Sequence, residues 1–211
     1  MTAGIKQHQL IAAAPDHGGL SLLNFNLQHP ARADAHPRLG DSIKLDFVNN
    51  TIYNWGGTAG YNADDPGDFR QALNYVGNYL IAGPSTTGRL TVAFDSGVDS
   101  AVNFEVFQSG NSIDSNKDGR LNGTNTGWDM FSAPYAQRVE RYPLPEVSTD
   151  SSLSAHKLVL AFAGASLSRD AADTRIVNNV MNQTGAIIDS QDEVGGYPEL
   201  ASAAPPIDTD E

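Results

Sequence analysis

Asparagine recurs in this chain at positions 26, 50, 78 and 111, in or just after a short run rich in apolar and aromatic residues. The separations are 24, 28 and 33 residues. The runs are Leu20–Leu27, Ile43–Tyr53, Leu73–Leu80 and Ala101–Phe107, the last continuing to Asn111. Ile43, Leu45 and Phe47 take every second place, the pattern of a strand with one buried face. One strand group per recurring period is what a solenoid shows when loops of unequal length are inserted between its turns. In such a coil the asparagine amides face inward at the bend and bond the backbone of the coils above and below, which is how a buried amide survives. Ordinary β-turns also favour Asn, because its side chain bonds the nearby backbone. The irregular spacing leaves both readings open.

At 211 residues and 40% hydrophobic content, the chain can bury one sizeable core. Its 20 Gly and 11 Pro suit a β-rich chain with many turns. With no cysteine, disulfides are excluded. No apolar run approaches the roughly 20 residues that a membrane helix needs. The opening MTAGIKQHQL lacks the charged-then-apolar layout of a signal peptide. The net charge of -12 repels polyanions unless a local basic patch or bound cation intervenes, which argues against a nucleic-acid partner. Residues 1–200 read as one domain and the Pro-rich ASAAPPIDTDE at 201–211 as a tail or linker.

Beyond Leu153 the periodicity changes. Ala155–Ala163 followed by Gly164 predicts a short helix with a glycine stop. A second helix should start near Ser168 or Asp170, carry an apolar stripe of Ala172, Ile176, Val177 and Val180, and end at Gly185. Asp170, Arg175, Asp192 and Glu193 are read as pins for this C-terminal segment rather than catalytic groups. In the polar loop after Ser109, Asp114, Asn116 and Asp118 with Gly119 match the first half of a calcium loop. Its twelfth position is Asn125, where an EF-hand has a bidentate Glu. A solvated, glycine-broken loop is the competing reading.

Five stretches then align with one family: DHGGLSL, HPRLG, FVNNTIYNWGG, NYVGNYLIAGPST and RDAADTRIVNNVMNQTGAIIDSQDEVGGYP. From about residue 5 onward the chain resembles the pectate lyases of polysaccharide lyase family one, in particular their secreted bacterial branch. The resemblance implies an all-β fold, a right-handed parallel β-helix (solenoid) with short C-terminal helices packed on it. It implies a secreted protein that cleaves polygalacturonate or pectin oligosaccharides by β-elimination. Calcium is the implied cofactor, bridging substrate carboxylates to enzyme aspartates. Most of those aspartates lie, in the family, in coils preceding the region matched here, so the chain is expected to correspond to the C-terminal portion of such a lyase.

β-Elimination takes the C5 proton beside a uronate carboxylate, so the site must stabilise carbanion-like charge and hold an unprotonated base. In the family that base is an arginine followed, after one residue, by Pro and often Arg. The matching stretch is Ala35-His36-Pro37-Arg38, with alanine in the place of the base. Arg32 and His36 are the remaining candidates for the base; a solvated arginine and a turn histidine are their plainer readings. An imidazole, with its ordinary value of about 6.5, would suit proton abstraction better than a guanidinium. Arg38 and Lys6 match family positions that bind uronate carboxylates, a task suited to arginine's fork. Tyr53, Trp55, Tyr75 and Tyr79 are expected to stack between coils rather than to serve as sugar platforms.

Overall fold

The computed structural model describes residues 9–13, 20–24, 38–39, 43–62, 70–96, 103–132, 134–145, 147–164 and 166–197. Three sheets run side by side, and the chain visits them in rotation. The first contains β3 (Arg38–Leu39), β6 (Tyr61–Asn62), β9 (Phe94–Asp95) and β12 (Phe131–Ser132). The second contains β4 (Lys44–Val48), β7 (Gln71–Val76), β10 (Phe104–Ser109) and β13 (Ala136–Gln137). The third contains β5 (Thr51–Tyr53), β8 (Tyr79–Ile81) and β11 (Ser112–Asp114), extended by β2 (Leu20–Asn24) and β1 (Gln9–Ala13). Every pairing between coils is parallel, whereas β1 pairs with β2 in antiparallel fashion. This is the arrangement expected of a parallel β-helix, with two helices added at its C-terminal side.

The recurring asparagines explain how each coil turns. Ile43–Tyr53 bends at Asn49–Asn50 into two strands, and Leu73–Leu80 bends likewise at Gly77–Asn78. The residue before each asparagine is left-handed: Asn49 at φ 57°, Gly77 at 63° and Gly110 at 65°. Asn50, Asn78 and Asn111 stack in the interior, each 2% exposed or less. The Asn78 Oδ1 accepts from the backbone N–H and the Nδ2 of Asn50, both at 2.9 Å. The Asn111 Oδ1 accepts from the backbone N–H and Nδ2 of Asn78 at 2.9 and 3.1 Å. Each Nδ2 also reaches a carbonyl: Asn78 to Phe47 and Asn111 to Tyr75, at 2.8 Å. The turn alternative therefore falls for these three positions; Asn26 lies outside the described residues.

Aromatic side chains stack through the same interior. The Phe47 ring lies on that of Tyr75, with centroids 5.1 Å apart, and Phe131 meets Tyr75 edge-on at 5.4 Å. Ile52, Trp55, Leu80, Val106 and Met130 are fully buried around them. Tyr53, Trp55, Tyr75 and Tyr79 are all core residues, as expected.

The first helix, α1 (Ser152–Phe162), begins three residues before the expected Ala155 because the Ser151 side chain caps it, accepting from the Ser154 N–H. Ala155, His156 and Val159 form its buried face, which packs on β5 and β8. The second, α2 (Ala171–Asn182), is capped by Asp170. Ile176, Val177 and Val180 are its buried stripe; Ala172 is only half-buried. It stops at Gln183, left-handed at φ 53°, rather than at the predicted Gly185. The Gln183 N–H turns back onto the carbonyls of Asn179 and Val180 and closes the last turn two residues early.

Candidate functional site

The short-strand sheet β3–β6–β9–β12 has one row facing the core and one facing out. Phe94 and Phe131 are register partners in the inner row, and both are buried. In the other row, Arg38 is the partner of Tyr61, Tyr61 of Asp95, and Asp95 of Ser132. Tyr61, Asp95 and Ser132 are half-buried. From Tyr61 through Asp95 to Ser132, a polar row gives an elongated ligand one contact per strand, at intervals of about 4.8 Å.

The loop between β8 and β9 forms a rim beside this row. The Thr87 and Gly88 N–H groups donate to the Gly56 carbonyl at 2.9 and 3.3 Å, and the indole N–H of Trp55 donates to the Gly88 carbonyl at 3.3 Å. Lys117, from the loop one coil on, donates to the Thr86 carbonyl. Held in this way, Arg89 places its guanidinium 2.7 Å from the Asp95 carboxylate, which also accepts from the Ser132 hydroxyl. The Arg89 side chain remains half exposed, at 49%. No local motif marks Arg89, Asp95 or Tyr61; only the coil register joins them.

Of the residues expected from sequence to form the site, Arg38 opens β3 in this row. Lys6, Arg32, Ala35 and His36 lie outside the described residues. Asp114, Asn116 and Asp118 come together in the loop after β11. The Asp114 Oδ2 accepts from the Asn122 N–H at 3.0 Å, and the Asn116 Oδ1 accepts from the Asp118 N–H at 3.0 Å. The Asp118 carboxylate takes the Arg120 N–H at 2.8 Å and the amides of Asn116 and Asn122 at 3.3 and 2.9 Å. Burial raises the Asp114 carboxyl above its ordinary value, against the Asn122 N–H that lowers it. Asn125, at the twelfth position, uses its Oδ1 to cap the Gly127 N–H at 2.8 Å. Among the described residues, no three His, Cys, Asp or Glu side chains converge as a metal site. The loop instead offers two carboxylates and several amide oxygens, a donor set that fits a hard, oxygen-seeking cation such as calcium.

Other polar groups serve the architecture. On the outer side of β4–β7–β10, the Asn74 Nδ2 bonds the Asp46 carboxylate at 2.6 Å and the Tyr142 carbonyl at 3.0 Å. Arg141 pairs with Asp46 at 3.2 Å, Arg138 with Glu105 at 2.7 Å, and Lys44 and Arg138 both lie over the Tyr142 ring. The 138–150 segment thus crosses this sheet, and its charges hold that segment in place. His156 is buried beside Thr51 and Tyr79, and burial pulls its imidazole down to about 4. Arg175 donates to the Val194 carbonyl at 3.0 Å, while Glu193 accepts from the Asp189 and Ser190 N–H groups; both fasten the C-terminal segment, as read from sequence.

Comparison with known proteins finds relatives by sequence. A protein of Aspergillus flavus named probable pectate lyase C is 35% identical over 215 residues, covering 98% of this chain. The chain is similar to fungal pectate lyases. Proteins of the same name from Neosartorya fischeri and Emericella nidulans are 34% and 31% identical, again over 98% of the chain. The chain spans about half the length of these relatives, 48%, 48% and 47% in turn. No family model matches the chain. No solved structure matches it either. These relatives are fungal, whereas the motifs pointed toward the secreted bacterial enzymes.

Proposed function

We propose that the chain is a pectate-lyase-type β-helix that holds polygalacturonate along the β3–β6–β9–β12 row, and that Ala35 leaves it little eliminative turnover. The observation that carries this reading is the 35% identity to a probable pectate lyase C across 98% of the chain. The polar row, with Arg38 in register beside it, supports the same reading. In this view the coils wind right-handed, as in polysaccharide lyase family one. The protein works outside the cell, where pectin is found.

In the reaction, a base removes the C5 proton of a galacturonate. The C5–H electron pair becomes the C4–C5 double bond, the C4–O bond breaks, and the departing oxygen takes up a proton. Lys6 and Arg38 are the candidate partners of the substrate carboxylates. Proton abstraction falls to Arg32 or His36, because alanine stands where the family's arginine would act. When bound, calcium supplies positive charge that offsets the developing carbanion. In this chain Asp114, Asn116 and Asp118 would hold such a cation.

Incubating the full chain with polygalacturonate, with and without calcium, tests this. Calorimetry should show binding, and the absorbance of unsaturated uronate product should rise slowly or not at all. Ala35→Arg should raise the rate at least tenfold, since a positioned base contributes about 10²–10⁴-fold. If the chain neither binds nor cleaves polygalacturonate, the reading fails. If it binds and Ala35→Arg adds no turnover, the surface is a noncatalytic polysaccharide-binding face.

A further inference from the structure

We infer that the cavity between α2 and the end of β5 binds a single neutral sugar ring, at a site separate from the β3–β6–β9–β12 row. Tyr53 closes β5 in the third sheet, and Asn54 follows it. The segment after α2 crosses here, and two bonds fix it to the coils. The Tyr53 hydroxyl donates to the Thr184 carbonyl at 2.7 Å, and the Ile187 N–H donates to the Ser85 hydroxyl at 3.0 Å. Between the segment and the coil end lies a cavity of about 360 Å³, walled by α2, at the small end of the range that ligand sites occupy.

The polar groups of this wall are only partly used. Asn54 is buried, 8% exposed. Its Oδ1 accepts from the Ser85 N–H at 2.7 Å, but its Nδ2 donates to nothing among the described residues. Buried amide donors are nearly always satisfied, so this one is left for whatever enters the cavity. Asn179, on α2, is alike: its Oδ1 accepts from the Thr184 hydroxyl at 3.4 Å, and its Nδ2 has no partner among the described residues. Arg175 gives one donor to the Val194 carbonyl at 3.0 Å and keeps the rest of its fork. Glu193 takes the Asp189 and Ser190 N–H groups through Oε1 alone, which leaves Oε2 as an acceptor.

These groups set the chemistry of the ligand. Amide and guanidinium donors beside a carboxylate oxygen suit neighbouring hydroxyls, each of which both donates and accepts. Ile176, Ile188 and Val194 add an apolar part to the wall, which matches the C–H face of a pyranose. Arg175 and Glu193 cancel in charge. A neutral ring is therefore favoured over a uronate, whose carboxylate would be repelled by Glu193. Arg175, Asn179 and Glu193 all belong to RDAADTRIVNNVMNQTGAIIDSQDEVGGYP, so the polar residues of that stretch line a site as well as fastening the segment.

The test titrates the full chain with D-galactose and with D-galacturonate, which differ only at C6, and follows the side-chain amides by NMR. With galactose, the Asn54 and Asn179 amide resonances of the wild type should move together and saturate. That of Asn182, exposed on α2 and bonded to the Asn178 carbonyl, should stay still. At the Asn54 amide, galacturonate should bind about fivefold more weakly, or less tightly still. Asn54→Asp keeps an acceptor for the Ser85 N–H and tolerates the left-handed backbone at φ 55°, yet puts an oxygen where the donor was; it should weaken galactose about tenfold. Glu193→Gln keeps the capping-box acceptor and should bring galacturonate level with galactose. Asn54 and Asn179 resonances that galactose leaves unmoved would overturn the site, and galacturonate binding the wild type as tightly as galactose would overturn the neutral-sugar assignment. Both results leave the polygalacturonate reading intact, because the polymer is read at the β3–β6–β9–β12 row.

Discussion

Replacing Asn78 by alanine should cost this fold more than any single change on its surface. Asn78 is fully buried, and its amide is the middle rung of the asparagine stack. Its Oδ1 accepts both the backbone N–H and the Nδ2 of Asn50; its Nδ2 donates to the Phe47 carbonyl and the Asn111 Oδ1. Alanine removes the Oδ1 that accepts from the buried Asn50 N–H, a loss of about 1–3 kcal/mol. The other three bonds are lost too, at about 0.5–1.5 kcal/mol each; of the groups involved, the Asn50 Nδ2 still reaches the Val48 carbonyl, and the Asn111 Oδ1 still takes the Asn78 N–H. Together the loss is about 4 kcal/mol, a large share of the 5–15 kcal/mol typical of a native domain. Urea titration followed by circular dichroism measures it against Asn182→Ala, which removes an exposed bond on α2 and should stay within about 0.5 kcal/mol of wild type.

Asn78→Asp separates acceptors from donors at the same place. A carboxylate keeps both bonds from Asn50 but turns an oxygen toward the Phe47 carbonyl and the Asn111 Oδ1, where the amide had donated. The buried carboxyl is therefore held above its unfolded value of about 3.9. The folded state then binds more protons than the unfolded one, so stability falls as pH rises from about 4 through the folded value, by at most about 1.4 kcal/mol per pH unit. Asn78→Ala should show no such slope. A loss under about 1 kcal/mol for Asn78→Ala, or a flat pH profile for Asn78→Asp, would refute the claim that the stack bears the weight assigned to it.

The imidazole of His156, lowered to about 4 by burial and then by Lys157, is neutral in the fold and charges on unfolding. Because its folded value lies below the unfolded 6.5, its contribution is fully present above pH 6.5 and is lost as pH falls toward 4; about 3 kcal/mol disappears over that window in chemical denaturation, and His156→Gln should flatten it. Gly77 and Gly110 share nearly the same φ, 63° and 65°, but a Cβ at Gly77 would meet the Asn49 Nδ2 at 2.5 Å and the Asp150 carbonyl at 2.7 Å, whereas at Gly110 it meets nothing within 4 Å. Gly110→Ala should therefore cost about 1–2 kcal/mol from the backbone alone, and Gly77→Ala clearly more, with the two melting curves deciding the order.

The contrast between Asn78 and Arg89 shows why part of this molecule was legible in its sequence and part was not. Asn50, Asn78 and Asn111 could be paired from spacing because every coil must solve the same problem, a tight bend whose amide has to be satisfied inside, and it solves it with the same residue. The helices were legible in part for a similar reason: Asp170 caps α2 by a local rule, whereas the Ser151 cap starts α1 three residues before the expected Ala155 and Gln183 takes the left-handed turn that ends α2 before the expected glycine. Arg89 obeys no repeated rule. It reaches Asp95 only because the loop after β8 folds back onto Gly56 and Trp55 of the preceding coil, and the length of that loop is what widens the asparagine spacing from 28 residues to 33. The insertions that blur the repeat are thus the same segments that furnish the rim of the face. In a solenoid the regular residues set the axis, and the irregular ones set what lies along it. That is why the sequence motif around Ala35 directed attention to the base, while Arg89, Tyr61 and Asp95 became neighbours only once the coils were in register.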